Sequence, residues 1–203
     1  MSRFASALAL AAALAAASAS ADTLSINGTA DDFFKVYVST DLSNPGAVLF
    51  DKNSGWGSLG STTLNLQPGQ SVYLLIDAEN GSGPAMFMAD FTLSGGDLRF
   101  ANGLTTLTTD TVHWTVSQTS FATAVQTPVS MGQNQPGLQI WGQRAGISSD
   151  ATAIWAYNAD WAQGQPGHSY FVARITGVVP EPSTALLWLG GAGLLAAWRR
   201  RAR

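Results

Sequence analysis

The side chains that could carry chemistry in this chain are two histidines, thirteen carboxylates and seven tryptophans; cysteine is absent. Without cysteine there is no disulfide, no thiolate metal site and no cysteine nucleophile. A Ser/His/Asp enzyme would have to take its base from His113 or His168. Neither stands in a nucleophile elbow or in a histidine pair at metal spacing. His113 is read as lying in a strand beside Trp114, and His168 beside the turn Pro166-Gly167. Both are expected to be ordinary surface or packed histidines. A glycosidase needs two carboxyls flanking one bond, and Asp31-Asp32 and Asp77/Glu79 are the visible pairs. Asp77 and Glu79 would share a strand face, whereas Asp31 and Asp32 would point apart or sit in a turn. Surface or turn-capping roles are expected for all four, and no catalytic residue is assigned. Asp31, Asp32 and nearby carbonyls are also where a structural Ca²⁺ would sit, although EF-hand spacing is missing.

Five tryptophans lie outside the terminal segments: Trp56, Trp114, Trp141, Trp155 and Trp161. Indoles serve two purposes, anchoring a core or stacking on a flat apolar ligand face such as a sugar ring. Trp114 and Trp155 sit in apolar surroundings and are expected to be core. Trp56, between Gly55 and Gly57, and Trp161, in a polar stretch, are the candidates for sugar stacking.

These residues must be positioned by strands. Phe33 to Val38 alternates Phe34, Val36 and Val38 against Phe33, Lys35 and Tyr37, and Val72, Leu74 and Ile76 share one face of the next apolar run. Ala85, Phe87, Ala89, Phe91 and Leu93 form a third such row, and Phe171, Ala173 and Ile175 a fourth. Turn formers separate them: Asn44-Pro45-Gly46, Gln67-Pro68-Gly69-Gln70, Asn80-Gly81-Ser82-Gly83-Pro84, Ser94-Gly95-Gly96-Asp97 and Gln165-Pro166-Gly167. Pro68-Gly69 suits the centre of a type II turn. The expected fold is all-β, an antiparallel β-sandwich or jelly roll over residues 22–179, with no internal repeat.

The ends follow a different plan. Arg3, the apolar run Phe4 to Ala17 and Ser18-Ala19-Ser20-Ala21 make a signal peptide over residues 1–21, cut after Ala21 so that Asp22 leads the mature chain. Residues 180–203 begin with Pro180-Glu181-Pro182, whose prolines keep the junction extended. An apolar run from Ala185 to Trp198 and the cluster Arg199, Arg200, Arg201 and Arg203 follow. Fourteen residues reach only about 21 Å as a helix against a hydrocarbon core of about 30 Å. Interfacial tryptophans and snorkelling arginines make this a short transmembrane helix whose basic end stays cytoplasmic.

This tail resembles the PEP-CTERM sorting signal of Gram-negative envelope proteins. The resemblance implies cleavage near the tripeptide by an exosortase, a membrane protease, after transient anchoring in the inner membrane. It further implies delivery to the cell surface or extracellular matrix, in the company of exopolysaccharide and biofilm production. Within the body, Thr29 to Val38, Leu64 to Gly69, Ile76 to Asn80, Gly83 to Ala89 and Thr109 to Trp114 resemble the jelly-roll module of galactose-binding-domain-like proteins. The first hairpin departs from that module, with Ser39-Thr40-Asp41 where Asn-Gly is usual, and no sugar-contacting position carries over.

Between Asp22 and Val179, twelve acidic residues face five basic ones, a net of −7. Such a body repels a phosphate backbone, which excludes nucleic acid as a partner. The expected partners are signal peptidase, the exosortase, the membrane and an exopolysaccharide. The expected role is non-catalytic, a carbohydrate-binding or structural matrix protein; the alternative is an enzyme acting on extracellular polysaccharide.

Overall fold

The computed structural model describes residues 22–138 and 140–178. The signal peptide, Ala19 and Ala21, and the tail with Pro180, Glu181, Pro182 and its arginines lie outside the described residues, as does the short transmembrane helix. Among the described residues no helix is long and apolar enough to cross a membrane.

The described chain is all-β, two antiparallel six-stranded sheets packed as a sandwich. One sheet is built on β1 (Asp22–Asp31), flanked by β4 (Gly60–Leu66) and β6 (Met86–Ser94). The far edge of β6 is shared: β11 (Thr152–Trp155) pairs at Phe87, and β8 (Thr106–Thr108) pairs at Asp90 to Thr92. Beyond β11 lies β10 (Val129–Gln133). The second sheet is built on β5 (Val72–Asn80), between β2 (Phe33–Ser39) and β12 (Gly167–Gly177). β3 (Phe50–Lys52) extends it beyond β2, while β9 (Thr115–Ser117) and β7 (Leu98–Phe100) divide the far edge of β12.

The core follows from the period-two pattern. Leu24, Ile26 and Ala30 of β1 pair with Leu93, Phe91 and Phe87 of β6, and all face Phe34, Leu74, Ile76, Phe171 and Ile175 of the other sheet. Phe87 sits at the centre, with the rings of Phe34, Phe91, Trp114 and Phe171 all within 6.5 Å of it. Gly28 is required where β1 crosses Ala89, because a Cβ there would come within 2.5 Å of the Ala89 Cβ. The turn at Gln67 to Gln70 closes with a Gln70 N–H to Gln67 carbonyl bond and Gly69 at φ +66°.

The two poles of the sandwich differ. At one, β1, β3, β5 and β11 end and β2, β6 and β12 begin, so the β3–β4, β5–β6 and β11–β12 loops lie there. At the other, β1 begins and β12 ends. The Val178 N–H bonds the Asp97 carbonyl at 2.7 Å, and the Asp97 N–H points to the Asp22 carboxylate at 3.4 Å. Val178 therefore stands at the pole opposite the β3–β4, β5–β6 and β11–β12 loops.

Candidate functional site

At the loop pole the chemistry collects around the end of β1. Lys52, only 3 % exposed, donates to the carbonyls of Ala30 (3.3 Å), Asp32 (3.1 Å) and Gly55. This ammonium sits beside Asp31 and Asp32, where a structural Ca²⁺ would sit, and takes carbonyls that a metal would use. Asp31 is buried and accepts the Trp141 indole N–H at 2.8 Å. Asp32 accepts the Gly81 N–H at 2.9 Å, tying β1 to the β5–β6 loop. Burial pushes the Asp31 carboxyl from its ordinary 3.8 up to about 6, with the Trp141 bond opposing and the neighbouring Asp32 adding to the rise. Burial pulls the Lys52 ammonium down to about 8 against the pull of Asp32 and Asp31.

A raised carboxyl means that the folded state holds a proton the unfolded chain has released. The stabilisation is complete below about pH 4 and is lost as pH rises through about 6. Asp31→Asn keeps an acceptor for Trp141 and removes the titration. Relative to Asp31→Asn, the wild type should lose stability between pH 4 and 6, read as a falling difference in urea midpoints. A difference that stays constant across that range would refute the assignment.

Trp141 and Arg144 come from residues 134–151, an irregular excursion that sequence periodicity does not register. It is held by Asn134, fully buried, whose amide donates to the carbonyls of Arg144, Ile147 and Ser148 at 2.8 to 3.2 Å. Its side-chain oxygen accepts the Arg144 N–H at 2.6 Å. The excursion covers the outer face of the first sheet, packing Leu138, Trp141 and Ile147 on Met86 and Met88. It also sets the Arg144 guanidinium over the Trp56 ring, 4.8 Å from its centroid. Trp56 is 41 % exposed, and Thr29 Oγ1 holds its carbonyl at 3.0 Å. One face of this indole is thus already engaged.

Trp161 is different, 75 % exposed on a turn that Asp160 caps, its carboxylate accepting the Ala162 and Gln163 N–H groups at 2.9 Å. The ring lies above Gly83, where a Cβ would stand 3.5 Å away. Both candidate stacking residues are therefore at the loop pole, and Trp161 offers the freer ring. Trp114 and Trp155 are buried in the core as expected, while Trp141 is buried on the outer face of the first sheet.

Beside the Trp161 turn, the mouth between the two sheets opens into a cleft of about 440 Å³. Gln118, Tyr157, Gln165, Pro166 and His168 line it, with the edge of the buried Trp155 beneath. Gln165 is fixed by Asn80, whose amide donates to the carbonyls of both Gly83 and Gln165 at 3.0 Å.

His168 lies in β12 opposite Glu79, and its Nδ1 is 2.6 Å from Asp77 Oδ1, while its ring stacks on Tyr170 at 5.8 Å. Asp77 and Glu79 do share a face, but Asp77 is committed to that imidazole. His113 is not in a strand: the Asp110 carboxylate takes the N–H groups of Val112 and His113 and the His113 ring, which turns the chain between β8 and β9 and leaves no ladder bond there.

A family model for the PEP-CTERM protein-sorting motif matches residues 178–201, beginning one residue after β12. No curated protein matches the chain, and no solved structure does. The likeness to galactose-binding modules therefore rests on the quoted residues alone. The sorting motif marks an exported protein that an exosortase processes at the membrane, held there transiently by its C-terminus.

Proposed function

We propose that this exosortase substrate is a non-catalytic protein of a Gram-negative cell surface or extracellular matrix, and that its loop pole binds exopolysaccharide. The observation that carries the reading is the placement of Trp56 and Trp161 at the pole opposite Val178. While the tail holds the chain to the membrane, that pole faces outward. A non-catalytic role is supported by the carboxylates: Asp31 is buried against Trp141, Asp32 is bonded to Gly81, and Asp77 to His168. None of these three is presented with a free partner across a cleft. Domain limits of 1–21, 22–179 and 180–203 belong to the same reading, with signal peptidase cutting before Asp22.

The test is retention of the mature protein on the exopolysaccharide of its own cells. Trp161→Ala should weaken binding by about 1 to 2 kcal/mol with no change in melting temperature, since the ring is exposed. Trp56→Ala should weaken it less and cost about 0.5 to 1 kcal/mol of stability, because Arg144 loses its stacking partner. Equal binding by Trp161→Ala and wild type would remove the reading. Release of new reducing ends from the polymer would replace it with the enzyme.

A further inference from the structure

A sheet edge is a row of backbone donors and acceptors that another chain can pair with, and folded proteins blunt it by shortness, charge, proline or a bulge. Most edges here are blunted in that way. β3, β7, β8 and β9 are three residues each, and β10 is bulged between Ser130 and Gly132. β4 is the exception: Gly60–Leu66 is seven residues long, with no charge, no proline and no register shift against β1. Among the described residues no strand pairs with its outer edge. On the same side, Leu49 is 46 % exposed in a groove of about 370 Å³ that Asn65 and Leu66 help to line.

The ladder fixes which groups that edge offers. In β6 the Ala89 carbonyl accepts the Thr109 N–H at 3.0 Å and the Leu93 N–H donates to the Thr105 carbonyl at 2.7 Å, so both residues face away from β1. Alternation then gives Asp90 and Thr92, with Asn27 and Ser25 opposite, to the β1–β6 ladder. It leaves Leu24, Ile26 and Gly28 for Leu64, Thr62 and Gly60 of β4. The backbone groups of Ser61, Thr63 and Asn65 therefore point outward, at exposed residues. An antiparallel copy of the same strand answers them in one register, Thr63 opposite the partner's Thr63 and Ser61 opposite the partner's Asn65. Three pairs then form, each exchanging two hydrogen bonds about a two-fold axis. The half-buried Leu64 falls opposite the partner's Thr62. Charge points to the same edge, because a body of −7 holds its copies apart except where a stretch carries none. We infer that the mature protein forms a two-fold dimer through β4, running the first sheets of two copies into one. The partner is turned end over end, so the two Trp161 turns face opposite directions. The pairing does not depend on the polysaccharide reading.

The test is sedimentation of the processed protein recovered from cells, which should pass from monomer to dimer over micromolar concentrations. Thr63→Pro removes the central outward donor and leaves the β1 ladder intact, a position where an edge strand tolerates proline. It should raise the dimer Kd about tenfold or more, the worth of the two bonds lost at the axis. Thr63→Lys keeps the backbone and sets two like charges side by side; it should weaken the dimer too, and it carries the test if the proline variant does not fold. Because the chain has no cysteine, single thiols report the register. Thr63→Cys should oxidise to a linked dimer, since Cα atoms paired in this way are about 5.5 Å apart. Ser61→Cys alone, about 13 Å along the strand from its twin, should not, whereas Ser61→Cys mixed with Asn65→Cys should. A monomer at every concentration, a dimer indifferent to both Thr63 variants, or Ser61→Cys linking as readily as Thr63→Cys would each overturn the pairing.

Discussion

Replacing Pro180-Glu181-Pro182 with three alanines should leave a membrane-held precursor that keeps the 24 residues from Pro180 to Arg203, while the wild type loses them. The fold makes the reason concrete. β12 ends at Gly177, whose N–H bonds Ser71 Oγ at 3.0 Å, and Val178 is the last described residue paired to the body. The tripeptide begins only two residues further on. The two prolines of that tripeptide lack the donors a continuing strand needs and allow only a narrow range of φ, a stop written in the sequence. Alanines remove both the recognition motif and this stop. Deleting Arg199 to Arg203 should do something else, because each arginine opposes translocation by about 2.5 to 3.5 kcal/mol. Retention should weaken and uncut chain should escape. Fractionation followed by intact-mass analysis reads all three proteins, and the same spectra should place the N-terminus at Asp22. A wild-type product ending at Arg203, or normal processing of the alanine variant, would disprove the role given to this tail.

What the sequence made legible is what depends on local period. The rows Phe34-Val36, Val72-Leu74-Ile76, Ala85 to Leu93 and Phe171-Ala173-Ile175 all form the core, because alternation reports which face of a strand is apolar. It does not report what covers the other face. Met86 and Met88 alternate with the core row and still are fully buried, under an excursion with no period of its own. That excursion is ordered by one asparagine bonded to backbone ten to fourteen residues away, a contact no window of sequence shows. The same limit applies to the site. Exposure of Trp56 and Trp161 could be anticipated from glycine and polar neighbours, whereas the Arg144 guanidinium over Trp56 and the cleft beside Tyr157 and His168 arise from segments brought together across the chain. His113 lies outside a strand for a related reason. Its neighbours look strand-like, but Asp110 three residues earlier captures the backbone donors a ladder would need.

Lys52→Met should be the most damaging single substitution at the loop pole, at about 3 to 5 kcal/mol of unfolding free energy. The methylene stem would survive, since it packs tightly enough that a Cβ on Gly60 would meet its Cγ at 2.7 Å. What disappears is the ammonium. The carbonyls of Ala30, Asp32 and Gly55 lose their donor, and each buried acceptor left bare costs about 1 to 3 kcal/mol unless water reaches it. The buried Asp31 carboxyl also loses the cation that favours its charged form, so its pKa should rise further. That gives the double variant Lys52→Met/Asp31→Asn a distinct expectation. With no charge left to strand, it should be more stable than Lys52→Met at pH 7 by about 1 to 2 kcal/mol, a coupling of the size seen between groups in contact. Urea unfolding of the wild type, both single variants and the double variant measures the cycle. A cost below about 1 kcal/mol for Lys52→Met would mean that the ammonium is not holding the three segments together. Strict additivity in the cycle would mean that it acts on the carbonyls alone and not on Asp31.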